Sequence, residues 1–203
     1  MIDNEADYTV SKIVNGSSRQ PLSGNAPQQI VLLLHGYGTD GADLISLAPH
    51  WQSAAPDALF LAPNAPEHCP MGAGYQWWAL DTFTPEALAA GVVSAAPAIN
   101  AFIDRKLAQY GLTDEQLVIV GFSQGTMMAL HLGLHRENAV AGIVGYSGML
   151  TSAADLTQTP RHKPHALLIH GSADPVVPVA ALHEAHNALK TWGVPVTTHI
   201  SPN

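Results

Sequence analysis

The sequence predicts an α/β fold, a mostly parallel central sheet with helices on both faces. Three observations carry that prediction. Short, continuous apolar runs rich in Val, Ile and Leu recur along the chain, as strands buried on both faces require. Stretches with helical spacing separate several of these runs, and such alternation builds parallel sheets. No block of about 20–50 residues repeats, so a solenoid is excluded.

The elements follow in order. Ser17 to Asn25 reads as a loop, and Ile30–Leu34 as the first strong strand. Ala58–Leu61 is a weaker strand, followed by a long loop from Pro63 to Thr84. Pro85–Tyr110 alternates small and apolar residues at helical spacing, and Pro97 is expected to kink or break it. Leu117–Val120 is a strand, Thr126–His135 a helix and Val140–Tyr146 a strand. Ala166–Ile169 is a strand, Val179–Lys190 a helix and Val196–Ile200 a weaker last strand. Ligands of open α/β sheets bind beyond the carboxyl ends of the strands. The loops after Leu34, Leu61, Val120, Tyr146, Ile169 and Ile200 therefore matter most.

Composition sets the class. A chain of 203 residues suits one domain, 1–203, with a substantial core. With 47% hydrophobic and 12% charged residues, it is not a disordered chain. A net charge of -8 with no basic cluster argues against nucleic-acid binding. The single cysteine, Cys69, excludes a disulfide within the chain and suits a reducing, cytoplasmic compartment. Met1 to Glu5 is acidic and lacks an apolar core, unlike a signal peptide. Gln116 to His135 is uncharged and long enough to raise the membrane question. Its pattern changes from strand to helix at Gly121 and Gly125, which makes it two buried elements rather than one span.

That change is also the main chemical signal. Gly121-Phe122-Ser123-Gln124-Gly125 is G-x-S-x-G between a strand and a helix. Glycines two before and two after the serine let strand and helix approach closely around a strained turn. The turn presents the hydroxyl at a helix N-terminus, where backbone N–H groups stabilise an oxyanion.

The loop after the first strand reads His35-Gly36-Tyr37-Gly38-Thr39-Asp40-Gly41. It matches G-x-G-x-x-G, but the next strand ends Leu61-Ala62-Pro63-Asn64 without the carboxylate a bound ribose requires. The loop better serves as the second arm of an oxyanion hole, with backbone N–H groups of Tyr37 and Gln124 as donors. His35 precedes the serine and reads as a structural hydrogen-bonding residue. His170-Gly171-Ser172-Ala173-Asp174-Pro175 carries one carboxylate beyond a late strand. Asp174 is either a triad acid that orients an imidazole or a turn aspartate before proline. His183-Glu184-Ala185-His186 is one residue short of H-E-x-x-H, and no Cys/His cluster has zinc spacing, so no metal or other cofactor is expected. Cys69 lacks a basic neighbour in sequence and reads as an inert thiol.

Together these segments resemble the phospholipase/carboxylesterase family of α/β-hydrolases, which includes acyl-protein thioesterases. The matching residues are His35 to Gly41, Gly121 to Gly125 and His170 to Pro178, with Tyr146-Ser147-Gly148 after the intervening strand. The resemblance implies an α/β-hydrolase fold, Ser123 as nucleophile and Asp174 as acid. It implies a serine carboxylesterase acting on carboxylic or thio esters through an acyl-serine, without a cofactor. Lysophospholipase or acyl-protein thioesterase activity is the alternative. An inactive binding protein on the same fold is the non-enzymatic one. A small ester or lipid substrate and a homodimer are the implied partners. Trp77 and Trp78 sit on the loop whose position could cover the serine, and are either substrate-pocket or ordinary packing residues.

One departure stands out. The family's catalytic histidine follows the last strand and precedes a helix, whereas this sequence ends Ser201-Pro202-Asn203. The expectation is that the base lies just beyond Asn203, with His199 a weak substitute. A missing final helix would also leave one sheet face uncovered.

Overall fold

The computed structural model describes residues 16–70, 72–151 and 159–202. The N-terminal stretch read above as acidic lies outside them. β1 (Gly16–Arg19) and β2 (Gln29–Leu34) are followed by two short helices, α1 (Gly41–Ile45) and α2 (Ala48–Gln52). β3 (Ala58–Pro63) then leads to a two-stranded ribbon of β4 (Glu67–His68) and β5 (Tyr75–Gln76). α3 (Pro85–Tyr110), β6 (Leu117–Phe122), α4 (Gln124–His135) and β7 (Gly142–Tyr146) form the middle of the chain. β8 (His165–Gly171), α5 (Ala180–Thr191) and β9 (Val196–Ser201) complete it.

Seven strands form one sheet in the order β1-β3-β2-β6-β7-β8-β9. All neighbours are parallel except β1, which pairs antiparallel with β3. The apolar runs became central strands because both faces bury side chains. In β2, Ile30, Leu32 and Leu34 join the core beneath α3, α4 and α5, while Val31 and Leu33 join the core beneath α1 and α2. All six predicted strands are present.

Several expectations change. Gly16–Arg19 lies within the stretch largely read as a loop and forms an edge strand; its polar GSSR sequence carries no apolar signal. α1 and α2 are too short to show helical periodicity, but Asp40 caps α1 by accepting from the Asp43 N–H. Pro97 does not end its helix: α3 runs through it for 26 residues, from the Thr84 cap to the left-handed Gly111. Among the described residues α3, not Gln116 to His135, is the helix long and apolar enough to cross a membrane by length and composition, yet 56% of its most apolar window is buried in the fold. On the second sheet face, α1 and α2 leave an apolar groove of about 290 Å³ lined by Phe60, Val120, Val144, Tyr146 and Leu167.

Candidate active site

The parallel strands point their carboxyl ends at one rim, and the motifs converge there. After β6 the chain turns sharply, and Ser123 adopts φ 53°, ψ −113°, a conformation unfavourable for any residue with a Cβ. The flanking glycines are steric necessities. A Cβ on Gly121 would run into the Gly125 carbonyl, and one on Gly125 into the Leu34 carbonyl. The Ser123 N–H donates to Tyr146 O at 2.9 Å, tying the elbow to β7.

The glycine-rich loop after β2 lies against this serine. A Cβ on Gly36 would sit 3.4 Å from Ser123 Cβ and 3.1 Å from Phe122 Cδ1. His35 is fully buried and sets the loop's orientation. Its Nε2 accepts from the Ala65 N–H at 2.9 Å, so the other nitrogen carries the proton and donates to Gly36 O at 2.7 Å. Burial pushes the His35 pKa down, against the Gly36 hydrogen bond and the charges of Asp40 and Asp43, and keeps the ring neutral. A trans peptide aims its C=O and N–H in opposite directions. Drawing Gly36 O inward therefore turns the Tyr37 N–H outward. The Gln124 N–H stands at the start of α4. Neither N–H donates to a backbone carbonyl outside regular elements among the described residues.

A buried hydrogen-bonded circuit joins these two arms. The Trp77 indole N–H donates to His35 O at 2.8 Å. The Trp77 backbone N–H donates to Gln124 Oε1 at 3.0 Å, and Gln124 Nε2 donates to Trp78 O at 2.9 Å. Trp77 and Trp78 thus serve the site from beneath. They are 2% and 7% exposed and do not line the cavity over Ser123, which corrects their reading as pocket residues. Their indoles fill the core because the β4–β5 ribbon folds the long loop inward.

Asp174 follows β8. Its Oδ1 accepts the N–H groups of Val176 and Val177, both at 2.9 Å. Burial by itself would raise its pKa. The Val177 and Val176 N–H groups, the Ser147 hydroxyl and nearby His170 outweigh burial and hold the carboxyl below its usual range. His170 is buried and turns Nε2–H to Val177 O at 2.8 Å, with Asp174 Oδ2 3.6 Å away.

Ser123, Gln124, Tyr37, Ser147 and Asp174 share one open cavity of about 310 Å³. Its walls are Leu80, Phe83, Phe122, Met127, Met149, Val176 and Val177. Sequence reasoning missed these wall residues. Phe122, Val176 and Val177 lie inside quoted motifs, but Leu80, Phe83, Met127 and Met149 carry no local mark. Among the described residues no histidine lines the cavity, and Asp174 is the one charged group in it. His183 lies on exposed α5 surface, and His199 on β9 faces solvent opposite Ile169. No group of three or more His, Cys, Asp or Glu side chains able to hold a metal occurs among the described residues.

Comparison with known proteins gives the family and the fold. The sequence profile described as Phospholipase/Carboxylesterase matches residues 21–203. The crystal structure of esterase PE8 superposes with a TM-score of 0.86 at 40% identity, covering 92% of this chain and 88% of that one. Esterase YpfH of Escherichia coli is 28% identical over 175 residues, 85% of this chain and 73% of that protein. Lysophospholipase-like protein 1 of Mus musculus is 31% identical over 189 residues, 85% of this chain and 77% of that protein.

Proposed function

The chain belongs to the phospholipase/carboxylesterase family, whose members are ester hydrolases, and we propose that its chemistry runs through Ser123 at the floor of the apolar cavity. Ser123 attacks the ester carbonyl. The Tyr37 and Gln124 N–H groups hold the developing oxyanion, and Asp174 holds and balances the imidazole that takes the serine proton. Collapse of the tetrahedral intermediate breaks the ester bond and expels the alcohol or thiol, which takes the proton from that imidazolium, and water then releases the acid from the acyl-serine by the same route. No step calls for a cofactor. The observation that carries this reading is the strained, non-glycine Ser123 in one cavity with Asp174.

The end of β9 is tied to the acid loop: Gly171 pairs with Ser201, and the Ser172 N–H donates to Ser201 O at 2.9 Å.

The acyl group lies along Met127, Met149 and Leu80, and the substrate is a neutral ester. Among the described residues no Lys or Arg lines the cavity, so anionic acyl carriers gain nothing from them. A second reading, a lysophospholipase or acyl-protein thioesterase, rests on the exposed apolar rim of Phe83, Phe122 and Val176, which suits long acyl chains. The assembly is a homodimer and the compartment cytoplasmic, readings that rest on the family resemblance and on the single cysteine; sedimentation and cell fractionation test them.

The deciding test is intact mass with a fluorophosphonate probe on the enzyme from its natural source. One adduct on Ser123, absent from Ser123→Ala, together with loss of esterase activity in that variant, is expected. Unchanged esterase activity in Ser123→Ala would overturn the mechanism. Activity across p-nitrophenyl esters of increasing chain length then separates the two substrate readings.

A further inference from the structure

The nucleophile and the acid do not sit on neighbouring strands. Ser123 follows β6 and Asp174 follows β8, with β7 between them. The residue leaving β7 is Ser147. It is one of two non-glycine residues with positive φ among the described residues, at 47°, and the other is Ser123 itself. Serine gains nothing from a left-handed backbone, so a position that needed only the turn would be better served by glycine. Strain of this kind persists where surrounding structure imposes it, and it clusters at functional sites.

The surroundings show what the conformation achieves. The Tyr146 carbonyl accepts the Ser123 N–H at 2.9 Å, which fixes β7 to the nucleophile elbow. The Ser147 N–H donates to Ile169 O at 2.9 Å, which fixes the same corner to β8 just before the acid loop. Gly148 packs so tightly that a Cβ there would lie 2.9 Å from Ser123 O. Between these anchors the Ser147 side chain lines the cavity it shares with Asp174, and its hydroxyl is among the groups that hold the Asp174 carboxyl below its usual range. Asp174 Oδ1 already accepts two N–H groups from its own loop, Val176 and Val177. Ser147 reaches the same cavity from the end of a different strand, β7.

We propose that Ser147 is a positioning residue: its hydroxyl, presented by a left-handed backbone between the two catalytic loops, fixes the Asp174 carboxylate relative to Ser123. An acid free to rotate would present a base in several orientations, and misorientation lowers turnover without weakening substrate binding. The proposal rests on the reading of Asp174 as the triad acid.

Ser147→Gly provides the test, because glycine accepts the backbone and removes only the hydroxyl. Expected are a Tm equal to or above the parent's and a kcat about tenfold lower, the loss of one hydrogen bond to a charged group, with KM within about twofold. The carboxyl ¹³C titration of Asp174, assigned by its absence in Asp174→Asn, is expected to move upward in pH. That reading needs no turnover. His170, whose Nε2 lies 3.6 Å from Asp174 Oδ2, is the other titrating group facing the carboxylate, so its own titration is followed alongside. Ser147→Asn tolerates the same backbone and keeps a donor, and is expected to leave the Asp174 titration near the parent's. A Ser147→Gly enzyme with parental kcat and parental Asp174 titration would overturn the proposal, as would an Asn variant that titrates like the Gly one. If Asp174→Asn itself keeps parental kcat, the triad reading fails instead.

Discussion

Replacing Gln124 by Met isolates the circuit beneath the oxyanion hole. The substitution keeps the backbone N–H of residue 124 and nearly the same volume, but deletes two buried hydrogen bonds of 3.0 and 2.9 Å. Gln124 is 1% exposed, so the stranded Trp77 N–H and Trp78 C=O have no water to turn to. Each such group costs about 1–3 kcal/mol, and a flexible thioether recovers part of the packing, leaving a loss of about 2–4 kcal/mol. Against a total stability of about 5–15 kcal/mol this is large. At about 2–4 °C per kcal/mol, Tm falls by about 5–15 °C. The circuit continues through the Trp77 indole to the His35 carbonyl and so to the loop that carries the Tyr37 donor. One oxyanion donor is worth about 10²–10³ in kcat, and a donor loosened rather than removed should forfeit about tenfold. Calorimetry and steady-state hydrolysis of a p-nitrophenyl ester, well below Tm, measure both effects. A Tm within about 2 °C of the parent would refute the hydrogen-bond accounting. A fallen Tm with unchanged kcat would refute the coupling to the oxyanion loop.

Three further outcomes are expected. Ser123→Gly relieves a conformation that costs about 1–3 kcal/mol, less the entropy glycine regains on unfolding, so calorimetry should show Tm rising by a few degrees while activity vanishes; a lower Tm would contradict the strain. Burial holds the His35 pKa below its ordinary value, so below about pH 6.5 the unfolded chain takes a proton there that the native one refuses. Stability from this residue is present at neutral pH and lost as pH falls, by up to about 1.4 kcal/mol per pH unit, and His35→Gln should flatten Tm against pH between about 7 and 5 relative to the parent; parallel profiles would refute it. Arg136→Met leaves Asp114, paired at 2.7 Å and 7% exposed, without its cation. The expected loss is about 3 kcal/mol, because the second pair, to the exposed Asp104, adds little. Denaturant unfolding checks this, and kcat should hold within about twofold because Arg136 is outside the cavity.

What the sequence determined by itself was local. Ile30–Leu34 and Leu117–Val120 read as central strands because burial on both faces demands unbroken apolar runs. Ser123 read as a nucleophile because its turn tolerates no Cβ two residues to either side, a steric condition written into five consecutive letters. Asp174 stayed open between triad acid and turn aspartate in its own segment, since Ser147 and the cavity it shares with Ser123 come from elsewhere along the sheet edge. The tertiary structure decided the rest. Gly16–Arg19 is a strand only because β3 offers it an edge. Trp77 and Trp78 are core rather than pocket because the ribbon folds them under the loop after β2. The cavity walls combine Leu80, Met127, Met149 and Val176 from four separate segments. A one-dimensional pattern encodes periodicity and steric exclusion along the chain. Which residues meet across strands depends on pairing and packing between distant segments, and no local pattern carries that.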